Sequence, residues 1–170
     1  MAESRNIVLV GFMGTGKTSV GKLLAGRKGM QFVDMDDLIR QRTGKSIPRI
    51  FSEDGEAHFR ALERALVVEL CGQSGMVIST GGGIVLNPDN VADFNRTGAI
   101  VCLHASPEAI LRRVCGDTDR PLLAGDDKGK KILALLEARR HLYAAIANRV
   151  DTDDLSIEEV ADKVMSFCVA

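Results

Sequence analysis

The residues best suited to chemistry form one short segment near the N-terminus, where positions 11–18 read GFMGTGKT. The segment matches the pattern G-x-x-x-x-G-K-[ST], in which a glycine-rich turn ends in a lysine and a hydroxyl residue. It also has the required context, because the apolar run NIVLV precedes it and a helical pattern follows it. These observations predict a phosphate-binding P-loop, and with it an ATP-using phosphotransferase.

Each residue type in the predicted P-loop has a physical role. The glycines allow the backbone to curl, so that successive N–H groups and the N-terminus of the next helix face the phosphate oxygens. Lys17 is expected to reach the β- and γ-phosphates, and the Thr18 hydroxyl is expected to ligate Mg²⁺. The predicted ATP-binding residues of this segment are Gly14, Thr15, Gly16, Lys17, Thr18 and Ser19.

Two acidic residues are candidates to complete a magnesium site. The apolar run at 76–80 ends without a carboxylate, whereas the shorter run at 31–34 ends at Asp34, with Asp36 two residues later. Mg²⁺ takes carboxylate oxygens directly or through water, so at least one of these acids is expected at the phosphate site. The alternative is local turn chemistry, in which Asp36 caps a helix that begins at Asp37.

Apolar runs and helical patterns alternate along the chain and predict the architecture. Strands are expected near 6–10, 31–34, 76–80, 99–104 and 149–151. Helices are expected at 17–29, 36–43, 54–72, 87–95, 107–115 and 130–147, and after the capping box of Ser156 and Glu159. Asp54 is the expected N-cap of the helix that runs to Gly72. The alternation predicts one three-layer α/β/α domain, residues 1–170, around a parallel sheet of about five strands.

Composition argues against several other classes of protein. The chain has 170 residues, enough for one domain with a core, and its formal net charge of −1 argues against nucleic acid or an anionic membrane as partner. It has no apolar run of about 18 residues and no signal-peptide core, so a cytoplasmic protein is expected. Its four cysteines form no CxxC pair and are expected to be free thiols, and a monomer is the expected state.

Further motifs follow the P-loop in a fixed order. They are FVDMDDLI at 32–39, GKSIPRIF at 44–51, Gly55-Glu56 with Phe59-Arg60 and Glu63, STGGGIV at 79–85, RPLL at 120–123 and RRHLY at 139–143. Together with GFMGTGKT, this set resembles the shikimate kinase family over roughly residues 5–152. The resemblance implies a nucleoside-monophosphate-kinase-like P-loop fold. It also implies transfer of the γ-phosphoryl group of ATP to the 3-hydroxyl of shikimate, with ADP as the second product, in chorismate and aromatic amino acid biosynthesis.

The resemblance implies roles for individual residues. Asp36 would hold the shikimate hydroxyls and either take the proton of the attacking hydroxyl or only position it, and Asp34 would act near Mg²⁺ through water. Arg120, in a lid at about 116–127, would reach the transferring phosphate, and Arg113 would pack on adenine. Asp36, Lys17 and Arg120 are thus the implied catalytic residues. The implied shikimate-binding residues, several of them within about 34–63, are Asp36, Phe51, Phe59, Arg60, Gly81, Gly82, Gly83 and Arg139.

Simpler explanations exist for two of these arginines. Arg60 stands four residues after Glu56 and three before Glu63, which suits an exposed ion pair. Without its motif, Arg139 would be taken for a surface residue like its neighbour Arg140.

Two other functions are compatible with the P-loop: a related small kinase acting on gluconate or a nucleoside monophosphate, and a nucleotide-binding regulatory module without catalysis. His141 stands where the family often has proline, and residues 153–156 give no signature of an adenine-binding loop. Neither departure touches the acceptor residues. The combination of Asp36, Arg60, the three glycines at 81–83 and Arg139 therefore favours shikimate.

Overall fold

The computed structural model describes residues 5–114 and 127–168. Within these ranges the strands are β1 (Asn6–Gly11), β2 (Gln31–Asp34), β3 (Met76–Ser79), β4 (Gly98–His104) and β5 (Arg149–Asp151). The helices are α1 (Lys17–Lys28), α2 (Met35–Thr43), α3 (Ile47–Glu53), α4 (Glu56–Cys71), α5 (Pro88–Thr97), α6 (Pro107–Val114), α7 (Lys128–Ala144) and α8 (Ile157–Ser166). A 3₁₀ turn, Ile84–Leu86, precedes α5.

The five strands form one parallel sheet in the order β2-β3-β1-β4-β5, which confirms the predicted α/β class. β1 is the central strand, and the chain leaves it first toward β2 and β3 on one side and later toward β4 and β5 on the other. In parallel sheets, ligands bind beyond the carboxyl ends of the strands at such a point of reversal. The P-loop directly follows β1, so the topology places it at this position.

Helices cover both faces of the sheet and produce the predicted three layers. Along β1, Ile7 and Leu9 pack with α1 and α8, whereas Val8 and Val10 pack with the helices of the opposite face. This alternation follows from the two-residue period of a strand, and all six residues of β1 are buried. The P-loop therefore follows an aliphatic strand that is buried on both faces and held in the core.

One predicted cap is wrong. Asp54 ends α3 rather than beginning α4, and its Oδ2 accepts a hydrogen bond from Lys45 Nζ at 2.7 Å. The segment containing Pro48 forms a helix of its own, so the chain needs a sharp turn before α4. Gly55 makes that turn with a φ of 88°, in the left-handed region where a side chain is disfavoured.

Other helix boundaries differ from the predictions by a few residues. α7 begins at Lys128 and ends at Ala144, whereas the predicted helix covered 130–147. The capping box of Ser156 and Glu159 is formed at the start of α8, as predicted. Of the helices in the described ranges, none is long and apolar enough to cross a lipid bilayer.

Candidate active site

The P-loop connects the end of β1 to the start of α1. Gly14 and Gly16 have φ values of 76° and 92°, and Gly16 is the N-cap residue of α1. Thr15 closes the turn, because its hydroxyl donates to the Phe12 carbonyl at 2.8 Å. The curled backbone and the helix N-terminus that phosphate binding requires are therefore both present.

Lys17 lies across this turn. Its Nζ donates to the carbonyls of Gly11 and Phe12, each at 2.9 Å, and the residue is only 9% exposed. The backbone carbonyls hold the ammonium group beside the N–H groups of the loop. A cation fixed in this position is suited to neutralise phosphate charge.

A cleft of about 340 Å³ opens in front of the P-loop. It is lined by Gly14, Gly16, Lys17, Thr18, Ser19, Asp34, Asp36, Ser79, Thr80, Gly81, Gly82 and Arg113. The sequence predicted all of these as site residues except Ser79 and Thr80. Both are small polar residues at the end of β3. A carboxylate was the group considered for this position in the sequence, whereas the structure shows hydroxyl groups.

Thr18, Asp34 and Ser79 bring oxygen atoms together at one edge of the cleft. Thr18 Oγ1 donates to Asp34 Oδ2 at 2.9 Å and lies 3.4 Å from Ser79 Oγ. Within the described residues, no group of three or more His, Cys, Asp or Glu side chains is arranged to hold a metal ion. A single carboxylate with hydroxyl groups suits Mg²⁺, which keeps several waters and binds substrate phosphates in addition.

Asp34 also caps α2, which the alternative for this region assigned to Asp36. Asp34 Oδ1 accepts from the backbone N–H groups of Asp36 at 3.1 Å and of Asp37 at 3.3 Å, and α2 begins at Met35. The cap leaves the Asp36 side chain available to line the cleft. The two acids therefore have different positions, one against Thr18 and one toward the glycine turn.

Asp36 and Glu63 converge on the turn of three glycines that follows β3. A Cβ built on Gly81 would lie 3.0 Å from Asp36 Oδ1 and 3.0 Å from Glu63 Oε1. A side chain at this position would press on both carboxyl groups. The glycine therefore allows an acid from α2 and an acid from α4 to approach the same point.

Arg60 lies against the same turn. Its Nη1 donates to Glu63 Oε2 at 2.5 Å, and its Nη2 donates to Glu56 Oε1 at 3.1 Å. A Cβ built on Gly83 would lie 2.5 Å from Arg60 Nη2, so the guanidinium occupies the space that a side chain there would fill. The ion pairs expected as the simpler explanation are formed, and they fix Arg60 beside the predicted substrate-binding turn.

Phe51 and Phe59, two of the implied shikimate-binding residues, are in contact with each other. Their ring centroids are 4.9 Å apart, and the Arg60 guanidinium carbon lies 5.2 Å from the Phe59 centroid and 6.0 Å from that of Phe51. An arginine over aromatic faces gains cation–π attraction. The two rings thus provide an apolar support for the charged group.

Glu63 lies beside the predicted site residues, although the sequence suggested for it only an ion pair with Arg60. It is 1% exposed, and within the described residues its Oε1 has no hydrogen-bond partner. Burial raises the pKa of Glu63, while the charges of Arg60 and Arg139 act in the opposite direction and the Asp36 charge raises it further. Glu63 thus lies among three charged residues, Asp36, Arg60 and Arg139, which come from three different helices.

Arg139 and Arg140 point in different directions from α7. Arg139 is 7% exposed and interacts electrostatically with Glu63, whereas the Arg140 side chain is 77% exposed and pairs with Glu137. The expectation of a surface position, made without the motif, is wrong for Arg139. The structure thus brings this predicted carboxylate-binding arginine to the side of the protein that carries Arg60.

Arg113 connects the P-loop to the end of β5. Its Nη1 donates to the Gly14 carbonyl at 3.2 Å and to Thr152 Oγ1 at 2.9 Å, and its Nη2 donates to the Thr152 carbonyl at 2.8 Å. Beyond Thr152, Asp153 Oδ1 accepts from the Ser106 N–H at 2.8 Å. No local motif marks Thr152 or Asp153, because their partners lie 39 and 47 residues away in the sequence. Arg113 also lines the cleft, and its role at adenine stays a prediction.

Arg120 and almost all of the predicted lid at 116–127 lie outside the described residues. Only Asp127 belongs to both, and it forms the turn before α7. The roles predicted for Arg120 therefore stay predictions.

The chain is similar to known proteins over nearly its whole length. A family model described as shikimate kinase matches residues 13–169. A shikimate kinase from Pelotomaculum thermopropionicum is 45% identical over 163 residues, which are 96% of this chain and 95% of that protein. The structure of the Acinetobacter baumannii shikimate kinase in complex with shikimate superposes with a TM-score of 0.90 at 36% identity, covering 95% of this chain and 91% of the other.

A more distant solved structure shares only the fold. A gluconokinase from Sinorhizobium meliloti superposes with a TM-score of 0.60 at 17% identity, over 99% of this chain and 93% of the other. Phosphoryl transfer to different acceptors thus occurs on one architecture. The family model and the close relatives agree with the motifs of the sequence, and the chain therefore belongs to the shikimate kinase family.

Proposed function

We propose that this protein transfers the γ-phosphoryl group of ATP to the 3-hydroxyl of shikimate, giving shikimate 3-phosphate and ADP. The observation that carries the proposal is the convergence of Asp36, Arg60 and Arg139 around Glu63, next to the P-loop cleft. An acceptor that carries a carboxylate and several hydroxyl groups is complementary to two guanidinium groups and one carboxylate.

The P-loop side supplies nucleotide binding. Backbone N–H groups from Gly14 to Thr18 would hold the phosphate oxygens, and Lys17 would move from the loop carbonyls to the β- and γ-phosphates. Thr18, with Asp34 acting through water, would hold Mg²⁺, which supplies charge neutralisation on the phosphates when bound. The hydrogen bond from Thr18 Oγ1 to Asp34 supports this assignment.

The residues implied to bind shikimate, here called the acceptor side, would orient the substrate. Arg60 and Arg139 would hold the carboxylate of shikimate, Gly81, Gly82 and Gly83 would offer a close backbone approach, and Phe51 and Phe59 would contact the ring. Asp36 would accept hydrogen bonds from the substrate hydroxyls and hold the reacting one in line with the γ-phosphate. Phosphoryl transfer needs little covalent chemistry from the protein, so orientation and charge are the main contributions. Arg120, predicted from the sequence alone, would add positive charge at the transferred group.

The test is a turnover assay with competing acceptors. ADP release is measured with shikimate, gluconate and a nucleoside monophosphate, and shikimate is expected to give the highest kcat/KM. Lys17→Ala serves as the control preparation, because activity from a contaminating kinase would survive that substitution. A folded protein that makes no shikimate 3-phosphate would contradict the proposal, and binding of ATP without turnover of any acceptor would favour a regulatory module. Location in the cytoplasm and a monomeric state are further proposals, each carried by the sequence.

A further inference from the structure

Tyr143 ends the RRHLY motif, and the proposed chemistry gives it no role. It lies on α7, one helical turn after Arg139, and it is 6% exposed. It is also the single tyrosine of the sequence, which contains no tryptophan. A buried tyrosine hydroxyl needs a hydrogen-bond partner, and here the neighbours are predicted substrate-binding residues.

The Tyr143 hydroxyl connects two parts of the acceptor site. It donates to the Gly82 carbonyl at 2.6 Å, so the single phenol proton is used at the glycine turn. Arg139 precedes it by four residues on α7, a spacing that puts both side chains on one face of the helix, and the guanidinium acts electrostatically on the phenol. Arginine has only donors, so the Tyr143 oxygen can serve Arg139 only as an acceptor.

The Tyr143 ring reaches a third part of the site. Its edge meets the ring of Phe12 in the P-loop, with centroids 6.4 Å apart and planes at 83°. One side chain thus contacts the nucleotide loop and the glycine turn, and it lies one helical turn from the arginine predicted to bind a carboxylate. Burial raises the pKa of Tyr143 to about 12, although Arg139 lowers it, so the phenol keeps its proton at neutral pH.

We propose that Tyr143 is a positioning residue for the acceptor, which fixes the Arg139 guanidinium and the Gly82 carbonyl in the geometry that binds shikimate. The inference rests on the proposed function. An arginine side chain has several freely rotating bonds, and donation to a buried, fixed acceptor removes much of that freedom before the substrate arrives. A role limited to stability would instead leave substrate affinity unchanged when the hydroxyl is lost.

The first test is Tyr143→Phe, which removes the hydroxyl and keeps the ring against Phe12. The KM for shikimate is expected to rise about tenfold, the size of one hydrogen bond to a charged group, while kcat and the KM for ATP change less than about threefold. Val164→Ala is the matched control, because Val164 is a fully buried residue of α8 on the opposite face of the sheet. It is expected to lower the melting temperature without changing either KM.

A second measurement uses the unmodified protein and does not depend on the folding of a variant. Because Tyr143 is the only tyrosine, the tyrosine emission of the protein reports on this side chain alone. Shikimate is expected to change that emission saturably, with the same midpoint as the calorimetric Kd, since a carboxylate at Arg139 alters the charge next to Oη. Constant emission at saturating shikimate overturns the inference.

The two proposals fail in different ways. If the unmodified protein does not phosphorylate shikimate, the proposed function is wrong. If it does, and Tyr143→Phe raises the KM for shikimate no more than Val164→Ala, only the role of Tyr143 is wrong. In an Arg139→Ala background, the Tyr143→Phe effect on KM is expected to shrink, because the two residues act together. A full tenfold effect in that background would contradict action through Arg139.

Discussion

The nucleotide side and the acceptor side of the cleft are built in opposite ways. The P-loop is one continuous segment, closed by hydrogen bonds between residues three to six positions apart, such as Thr15 to Phe12 and Lys17 to Gly11. The acceptor side takes Asp36 from α2, Arg60 from α4 and Arg139 from α7. Asp36 and Arg60 lie against the glycine turn after β3, and Arg139 interacts electrostatically with Glu63, which reaches the same turn.

This difference in construction corresponds to a difference in what is bound: phosphate in general on one side, and one particular acceptor on the other. A cradle of backbone N–H groups fits any phosphate chain, because every residue carries the same donor. A set of buried and half-buried side chains from three helices fits a particular arrangement of carboxylate and hydroxyl groups. We therefore expect substitutions on the acceptor side to change the kinetics with shikimate while ATP binding survives, and substitutions on the nucleotide side to do the reverse.

Asp36→Asn is expected to have the largest effect. It keeps the shape of the side chain and removes the charge that orients the acceptor hydroxyl or takes its proton, so kcat is expected to fall about 10³-fold. Calorimetry with a non-hydrolysable ATP analogue is expected to show that Asp36→Asn binds the nucleotide as tightly as the unmodified protein does. A near-normal kcat would contradict the role of Asp36, and lost nucleotide binding would break the separation of the two sides.

Arg139→Ala is expected to raise the KM for shikimate about 100-fold, because a substrate carboxylate would lose its charged donor in a site shielded from water. The matched control is Arg140→Ala, the exposed neighbour on the same helix, for which steady-state kinetics are expected to be unchanged. Equal effects of the two substitutions would mean that Arg139 acts through the general charge of α7. An unchanged KM for Arg139→Ala would mean that another group binds the carboxylate.

Gly83→Ala is expected to raise the KM for shikimate about tenfold with ATP affinity preserved, since displacing a binding group by a fraction of an ångström weakens a preorganised site. The φ of Gly83 is −88°, so alanine fits the backbone and only its Cβ collides, with the Arg60 guanidinium. Gly26→Ala, where a Cβ meets nothing within 4 Å, controls for the substitution itself. If a structure of Gly83→Ala leaves Arg60 in place, the packing explanation is wrong.

Arg113→Ala is expected to have the smallest effect and the opposite selectivity. It removes hydrogen bonds to the Gly14 carbonyl and to Thr152, so the KM for ATP is expected to rise about threefold while that for shikimate stays constant. Arg112→Ala tests the exposed neighbour. A larger change in the KM for shikimate than in that for ATP would show that the two sides are coupled through the P-loop.

The sequence predicted the fold better than the surroundings of the charged residues. Its apolar runs predicted the five strands found in the described residues, because a parallel strand buried on both faces is apolar throughout. Without its motif, the sequence did not predict that Arg139 is buried. The reason is that α7 carries apolar residues around much of its circumference, with Ile132 buried and Leu133 44% exposed. Periodicity in such a helix does not distinguish an inward-facing arginine from an outward-facing one. The burial of Glu63 was equally hidden, because isolated acidic residues are usually exposed.

The sequence by itself determined the P-loop, the capping box of α8 and the family, since each of these depends on residue types at fixed short spacings. Only the tertiary structure decided that Glu63 lies among Asp36, Arg60 and Arg139. It also decided that Tyr143, which Arg139 influences electrostatically, donates a hydrogen bond to the Gly82 carbonyl. The physical reason is that turns and caps follow from the conformational preferences of a few adjacent residues. The distances between side chains of α2, α4 and α7 follow instead from how each helix packs on the sheet.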